Sequence, residues 1–484
     1  MDDLHFCGDF NNQISIDEKR LIPHIKRFIE CAVGAPEFYA AVHENTAGCA
    51  SLLQARGILG VDPVQVAALM PEIVSELPLL KKVPAAELED KPQALLWQRY
   101  ADTIARYRVT WRQLREKTPS NLFNAWRQRQ INRCQSQLSK ETNQNIVHGT
   151  IAFELSKGCS MGCSFCGVAA EPLQEVFMYT GENAGLWQDI LNVAVDRLGA
   201  TVGTGTCYWA TEPSDNPDYL KFVEDFGKAT GVYPQTTTAA PMRNLDWTRK
   251  LLRFRKQHST AMDRFSILSA NVLNRVHETF SAEDLALTVL DMQHSASSVR
   301  LRAQSGRNRN ATGSPQLELA QDHTIACLTG YRVNMADRSV LLISPCPPSN
   351  SWPLGYRVYA AGNFSCAAEL DDFIGETIKK CMPGQVSSGD ILAFRRDLDF
   401  IALPEEGFQL QSKYRLHKMT GSPHLAQLGR LIARGNLTFW SVIEELMVQH
   451  KDVLAIMSSI QKLFDQGLLE DGLSDESDLR GGKK

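Results

Sequence analysis

Three cysteines, Cys159, Cys163 and Cys166, stand within 157–167 in the run Lys-Gly-Cys-Ser-Met-Gly-Cys-Ser-Phe-Cys-Gly, a C-x3-C-x2-C spacing that offers a metal centre three thiolates and no fourth. Structural zinc and ordinary electron-carrying [4Fe-4S] centres take four protein ligands. A centre held by three keeps one metal position open to a substrate or cofactor, so the chemistry to expect is catalysis at an open iron. A zinc site, or three cysteines together by chance, is the plainer alternative.

Such a loop needs a scaffold. From about 149 to 344 the pattern alternates short apolar runs, which predict strands at 150–155, 200–210, 232–237, 264–268, 299–303 and 339–343, with helical runs near 183–198, 217–230, 245–256 and 282–293. Repeated β-α units of this kind predict the α/β class and a parallel sheet curled into a partial (β/α)6 barrel. In barrels the working residues gather at the C-terminal ends of the strands, and the three cysteines fall just after the first. The second predicted strand ends at Cys207-Tyr208-Trp209-Ala210, followed by Thr211-Glu212-Pro213.

The cysteine spacing, with Phe165 before the third thiol and Gly167 after it, resembles the motif of radical S-adenosylmethionine (SAM) enzymes. The resemblance implies a [4Fe-4S] cluster whose open iron binds SAM, and an external reductant such as flavodoxin or ferredoxin. It also implies roles for particular residues. Thr211-Glu212-Pro213 matches the family's Gly-Gly-Glu element, with Thr in place of the middle Gly, so Glu212 would meet the methionyl ammonium of SAM. Phe165 would cover the adenine, Ser269 would meet the ribose or carboxylate, and Arg302 would pair with the carboxylate. Their ordinary alternatives are a surface acid for Glu212 and loop chemistry at strand ends for Ser269 and Arg302.

Cys327, Cys346, Cys366 and Cys381 are spread without a C-x2-C pair, which argues for isolated thiols rather than further clusters. If 324–328 and 340–344 pair about a polar turn at 334–338, Cys327 and Cys346 come opposite each other. Pro345-Cys346-Pro347-Pro348 cannot continue a strand, which leaves Cys346 in a stiff loop at a strand end. Over roughly 150–380, most specifically at 154–159, 208–219 and 345–357, the chain resembles radical SAM peptide epimerases of the proteusin type. That resemblance implies conversion of L- to D-residues in a ribosomally made precursor peptide, by removal of the α-hydrogen and return of a hydrogen from a cysteine thiol. Cys346 is the first candidate donor, then Cys327, with Cys366 also open. Either thiol could instead be a small buried hydrophobe. Thioether or carbon–carbon crosslinking of such a precursor, and a non-catalytic peptide binder with a vestigial cluster, are the other functions considered.

Four regions are expected: a helical one at 1–148, the barrel with its cysteine-bearing extension at 149–395, a module at 396–473 and a disordered polar tail at 474–484. Helices are predicted near 17–31, 36–53, 64–77 and 93–116, with Asp62-Pro63 as a helix start. Between Trp97 and Ser139 there are nine Lys or Arg against two acids, which reads as a solvated basic face. The segment 35–70 faintly resembles leader regions of nitrile-hydratase-like precursors. Residues 400–466 read as short strands followed by three helices, an order resembling the winged-helix modules that bind precursor leader peptides, although a plain packing role fits as well. The formal net charge of −4 argues against nucleic acid as a partner, and no run approaches the roughly 18 apolar residues of a membrane span. Twelve cysteines in 484 residues, with no secretory signal at the N-terminus, suit a reducing cytoplasm.

Overall fold

The computed structural model describes residues 10, 12–44, 49–69, 83–138, 143, 146–297, 303, 305–310, 327–403, 406–450 and 452–471. The readings at Arg302, at 299–302, at 474–484 and in the helix expected beyond residue 69 lie outside these. The N-terminal region is helical: α1 Ile16–Gly34, α2 Pro36–Glu44, α3 Cys49–Ala55, α4 Pro63–Ala67, α5 Pro92–Gln113 and α6 Asn121–Gln137. Ser15 and Glu18 form a reciprocal capping box at the start of α1, and the Asp62 side chain caps α4 ahead of Pro63 as the sequence predicts. Ile25, Phe28, Phe38, Leu96 and Tyr100 close a core of their own against Met262 and Leu287.

The central region begins with β1 Gly149–Glu154, buried at every position, and a two-residue pairing of β2 Ser156–Lys157 with β3 Glu175–Val176. It continues through α7 Gly181–Leu198, α8 Tyr219–Thr230, β4 Thr237–Thr238, α9 Leu245–Gln257, β5 Asp263–Ile267, α10 Ala270–Thr279 and β6 Thr288–Met292. After it come β7 Leu328–Asn334, β8 Ser339–Pro345, β9 Tyr356–Asn363 and α11 Ala367–Cys381. The parallel sheet β4-β5-β6 and the mixed sheet β1-β7-β8-β9 are separate ladders, with only β1 and β7 parallel in the second. The mixed α/β class is therefore present, while the described residues do not make one continuous six-stranded ladder.

Three expectations fail for physical reasons. Residues 200–210 form a 3-10 turn, Gly199–Thr204, and one isolated parallel bridge from Thr206 to Ala152. The chain crosses β1 so closely there that a β-carbon at position 205 would lie 2.5 Å from the Ile151 carbonyl oxygen. The run 232–237 contributes only β4, because Pro234 has no N–H for a ladder; its carbonyl and that of Tyr233 accept instead from the Arg255 guanidinium at 2.6 and 3.1 Å. The helix expected at 282–293 is replaced by β6, in which Thr288, Leu290 and Met292 face inward at period two.

The C-terminal module holds β10 Ile391–Leu392, the antiparallel meander β11 Asp399–Leu403, β12 Gly407–Gln411 and β13 Leu416–Thr420, then α12 Leu425–Ala433, β14 Leu437–Thr438, α13 Phe439–Met447 and α14 Val453–Asp465. The Thr438 side chain caps α13, as its sequence position predicts. The module packs on α6 through arginines that the sequence suggested were solvated. Arg127, Arg129 and Arg133 are buried; Arg129 donates to the Pro383 carbonyl at 2.6 Å, and Arg133 meets the Leu469 carbonyl and Asp471. No helix among the described residues is long and apolar enough to cross a membrane.

Candidate active site

The cysteine loop leaves β1 through Gly158, whose φ of +82° and whose approach to Pro172 exclude a side chain: a β-carbon there would sit 2.2 Å from the Pro172 carbonyl oxygen. Cys159 N–H donates to the Glu171 carbonyl at 2.9 Å, and Cys166 N–H to that of Cys163 at 3.2 Å. From outside, Arg307 grips the loop. Its backbone N–H donates to the Cys166 carbonyl at 2.9 Å, and its guanidinium to the Cys163 and Ala170 carbonyls at 2.8 and 2.7 Å. Gly306 lies flush against the same turn, with φ +55° and no room for a β-carbon beside the Gly167 carbonyl. Nothing in the local sequence announced this clamp, which comes from nearly 150 residues downstream.

The three thiols are free and half-buried. Sulfur of Cys159 accepts from the Met161 N–H at 3.5 Å and sulfur of Cys166 from the Ala170 N–H at 3.4 Å, the kind of bond that tunes iron–sulfur ligands. Burial, with the nearby carboxylates of Glu212 and Asp215, pushes the Cys159 thiol up to about 11. Among the described residues no group of three or more His, Cys, Asp or Glu side chains gathers to hold one metal ion. A single ion would need donors about 2.3 Å from one point, whereas thiolates of an iron–sulfur cluster bind separate irons. By donor chemistry, three thiols of one loop with N–H bonds to sulfur fit a cluster with an open position.

Glu212 is 3% exposed. Its carboxylate accepts from Ser214 N–H (3.1 Å), Ser214 hydroxyl (2.8 Å), Ala239 N–H (2.8 Å) and the Thr238 hydroxyl. Burial raises its pKa and these donors pull it back. The residue thus caps its own turn, in which Pro213 is buried and Thr211 half-buried, ties that turn to the end of β4, and stands within electrostatic reach of Cys159 and Cys163. A second bridge joins the same two loops: Asp215 accepts from Ser160 N–H at 3.0 Å and from Arg243 at 2.7 Å. Glu154, at the end of β1, is fully buried and accepts from Arg332 (2.9 Å), Asn334 (3.0 Å) and the Ala210 N–H (2.7 Å). Asp215, Arg243, Arg307 and Arg332 are the residues that sequence reasoning missed, since their partners lie far away along the chain.

Ser269 is half-buried at the C-terminal end of β5 and caps α10, its hydroxyl accepting from the Val272 N–H at 3.2 Å. Phe165 is half-buried in the cysteine loop. Beneath that loop lies a cavity of about 460 Å³, walled by Gly167 and Val168, by Tyr208 and Trp209, by β1, and by Trp111 of α5. Cys327 is exposed and lines this cavity. Continuing the β7–β8 register, in which Gly330 faces Ile343, sets Cys327 opposite Cys346 as the sequence suggests. Cys346 itself, just past the end of β8, is only 3% exposed. Burial pushes its thiol up to about 12 against the pull of Arg357. Cys366 is exposed ahead of α11.

No protein-family model matches the sequence. It is 35% identical over 471 residues to the uncharacterized protein y4wI of Sinorhizobium fredii (strain NGR234), spanning 96% of this chain and 90% of that one. Among solved structures, the crystal structure of BtrN in complex with AdoMet and 2-DOIA aligns at a TM-score of 0.26 and 11% identity, covering 40% of this chain and 72% of that one. A likeness so slight carries no argument.

Proposed function

We propose that this chain, which belongs to the same family as the Sinorhizobium fredii protein y4wI, is a radical SAM enzyme that acts on a peptide. One observation carries the reading: a loop of three free, half-buried thiols, fastened by Gly158, Gly306 and Arg307, with the buried Glu212 carboxylate within electrostatic reach of two of them. Cys159, Cys163 and Cys166 would hold a [4Fe-4S] cluster, and SAM would take the position they leave. Cluster and SAM together supply a carbon radical strong enough to take a hydrogen atom from an unactivated C–H bond.

The chain's own residues do the rest. Glu212, immobilised by four donors, presents negative charge to the ammonium of SAM without having to reorganise. Thr211 and Pro213 shape the turn around it. Phe165, Ser269 and Arg302 keep the roles that the family resemblance implies, toward adenine, ribose and carboxylate. Trp111, Tyr208 and Trp209 wall the cavity in which a substrate would be shielded from water.

For the reaction itself, epimerisation of L- to D-residues fits a thiol at the cavity wall. The α-hydrogen leaves toward the SAM side, and Cys327 returns a hydrogen atom to the opposite face. The thiyl left on Cys327 is restored by one electron and one proton, the electron coming from a reductant such as flavodoxin or ferredoxin. Cys327 is preferred to Cys346 because it is exposed and lines the cavity, whereas Cys346 is buried. The C-terminal module would grip the leader of the precursor; Trp440, Met447, Val448 and Leu454 expose apolar surface on and between α13 and α14.

Coexpression with a candidate precursor peptide, in deuterated water, tests this. Each inverted residue should gain one deuterium at its α-carbon. Cys327→Ala should still make 5'-deoxyadenosine but little D-residue, and Cys346→Ala should retain inversion. A peptide that loses two hydrogens would point to crosslinking, and an unmodified peptide would count against catalysis on this substrate.

A further inference from the structure

The cavity has a one-sided charge. Arg108 and Arg112 reach it from one face of α5, four residues apart, and Arg264 from β5. No Asp or Glu is among the described residues that line it. Asp291, on β6, stands 3.9 Å from Arg264, one negative charge against three positive. The surrounding cavity walls, then the guanidiniums of Arg264 and Arg112, push the pKa of Arg108 down, although the residue stays open to solvent across the cavity. Arg264 is also near the chemistry: the crowded cavity wall raises the pKa of the Tyr208 hydroxyl and, solvent-exposed though it is, of the Cys327 thiol, and the Arg264 charge pulls both back.

Arginines that serve structure elsewhere in this chain end on carbonyls or acids. Arg112 does so in part, donating to the Arg108 and Ile146 carbonyls at 3.3 Å each. Arg264 also does so in part, at 3.9 Å from Asp291, yet with Arg108 it brings guanidinium charge to a cavity whose other walls are largely apolar and aromatic. A guanidinium offers a planar pair of N–H donors that matches a carboxylate oxygen for oxygen, and the match gains strength where water is scarce. Trp111 and Trp209 give the rest of such a ligand a flat apolar surface. At about 460 Å³ the space suits one small ligand or one peptide residue, within the roughly 300–1,000 Å³ of typical sites.

We propose that this cavity is a carboxylate site, in which Arg108 and Arg264 hold the carboxylate of the substrate while its apolar part lies against Trp111 and Trp209. The inference names the substrate class for the reaction proposed above and rests on that reading for its catalytic meaning, yet binding itself requires neither cluster nor SAM. The carboxylate could be a peptide C-terminus, an acidic side chain or a free organic acid.

Titrating the cluster-free full chain by tryptophan fluorescence separates these sources. Three matched pairs serve as probes: N-acetylphenylalanine and its amide, N-acetylglutamic α-amide and N-acetylglutamine amide, and 3-phenylpropionate and its amide. At least one carboxylate should bind tenfold or more tightly than its amide, and the tightest pair identifies the source. Arg264→Gln and, separately, Arg108→Gln should cut that preference below threefold with an unchanged circular dichroism spectrum; Arg108→Gln keeps the test valid if the strand variant misfolds. The proposal is overturned if no pair shows the preference, if it survives in the folded variants, or if inorganic phosphate binds as tightly as the best carboxylate. A carboxylate preference in a protein that never cleaves SAM would leave this site standing and remove the radical reading. SAM cleavage without the preference would do the reverse.

Discussion

Two groups of arginines from one basic stretch of sequence meet opposite fates. Arg127, Arg129 and Arg133 on α6 are buried and held within the chain: Arg127 donates to the His148 carbonyl at 3.1 and 2.6 Å, Arg129 to that of Pro383, and Arg133 to Leu469 and Asp471 at the seam with the C-terminal module. Arg108 and Arg112 on α5 turn instead to a cavity with no acid in its lining among the described residues. Composition alone makes the groups equivalent. What separates them is where they end: the first group on carbonyls and an acid elsewhere in the chain, the second at the wall of a cavity, where Arg112 also donates to the Arg108 and Ile146 carbonyls. The first holds the molecule together, and the second faces the cavity proposed to take a carboxylate.

The comparison breaks most visibly at Arg133. Arg133→Ala removes the cation closest to the buried Asp471 and the donor to the Leu469 carbonyl, so unfolding should become easier by about 3 kcal/mol, read by chemical denaturation, with carboxylate binding by the folded protein unchanged. Next comes Gly306→Ala, in which a positive φ and a β-carbon 2.4 Å from the Gly167 carbonyl oxygen should cost about 2–3 kcal/mol and lower the iron bound after reconstitution, since the cysteine turn must shift. Asp471→Asn should cost about 2 kcal/mol at neutral pH. Burial alone would raise the Asp471 pKa, but Arg133, Tyr359 and Arg357 hold it below the usual carboxylate range. Its contribution is therefore complete above the unfolded value of about 3.9 and is lost as pH falls through the lower folded value. The gap in melting temperature between wild type and Asp471→Asn should be constant from pH 7 to about 5 and close below about 4. Smallest of all, Arg108→Gln should leave stability within about 0.5 kcal/mol, because its side chain is exposed and its proposed partner is a ligand.

How much of this was legible in the sequence depended on how local the signals were. A place for Glu212 near the three cysteines was implied only by the family resemblance, whereas Cys159, Cys163 and Cys166 lie within eight residues, so their grouping could be read from order alone. The same holds for α7 and α9, where apolar spacing and the caps at Thr180 and Asn244 agree. The C-terminal order of meander and helices was visible for the same reason. Residues 200–210 misled because β-branched residues suggested a strand where Gly203 and Gly205 permit a tight crossing over β1. Ser269 drew attention as a ligand, although a serine followed by Val272, Leu273 and Val276 is also a helix start, and the structure uses it as one. Arg307, Arg243 and Arg332 could not be found, because their meaning lies in carbonyls and carboxylates remote in sequence.

The central claim is that the cysteine loop carries a cluster that cleaves SAM. Anaerobic reconstitution with iron and sulfide, followed by reduction and quantification of 5'-deoxyadenosine formed from SAM, addresses it most directly. Wild type should hold about four irons per chain and release 5'-deoxyadenosine, and Cys159→Ala, Cys163→Ala and Cys166→Ala should each lower that release at least a hundredfold. A reconstituted wild type that leaves SAM intact, or a Cys163→Ala enzyme that cleaves it at the wild-type rate, would contradict the account.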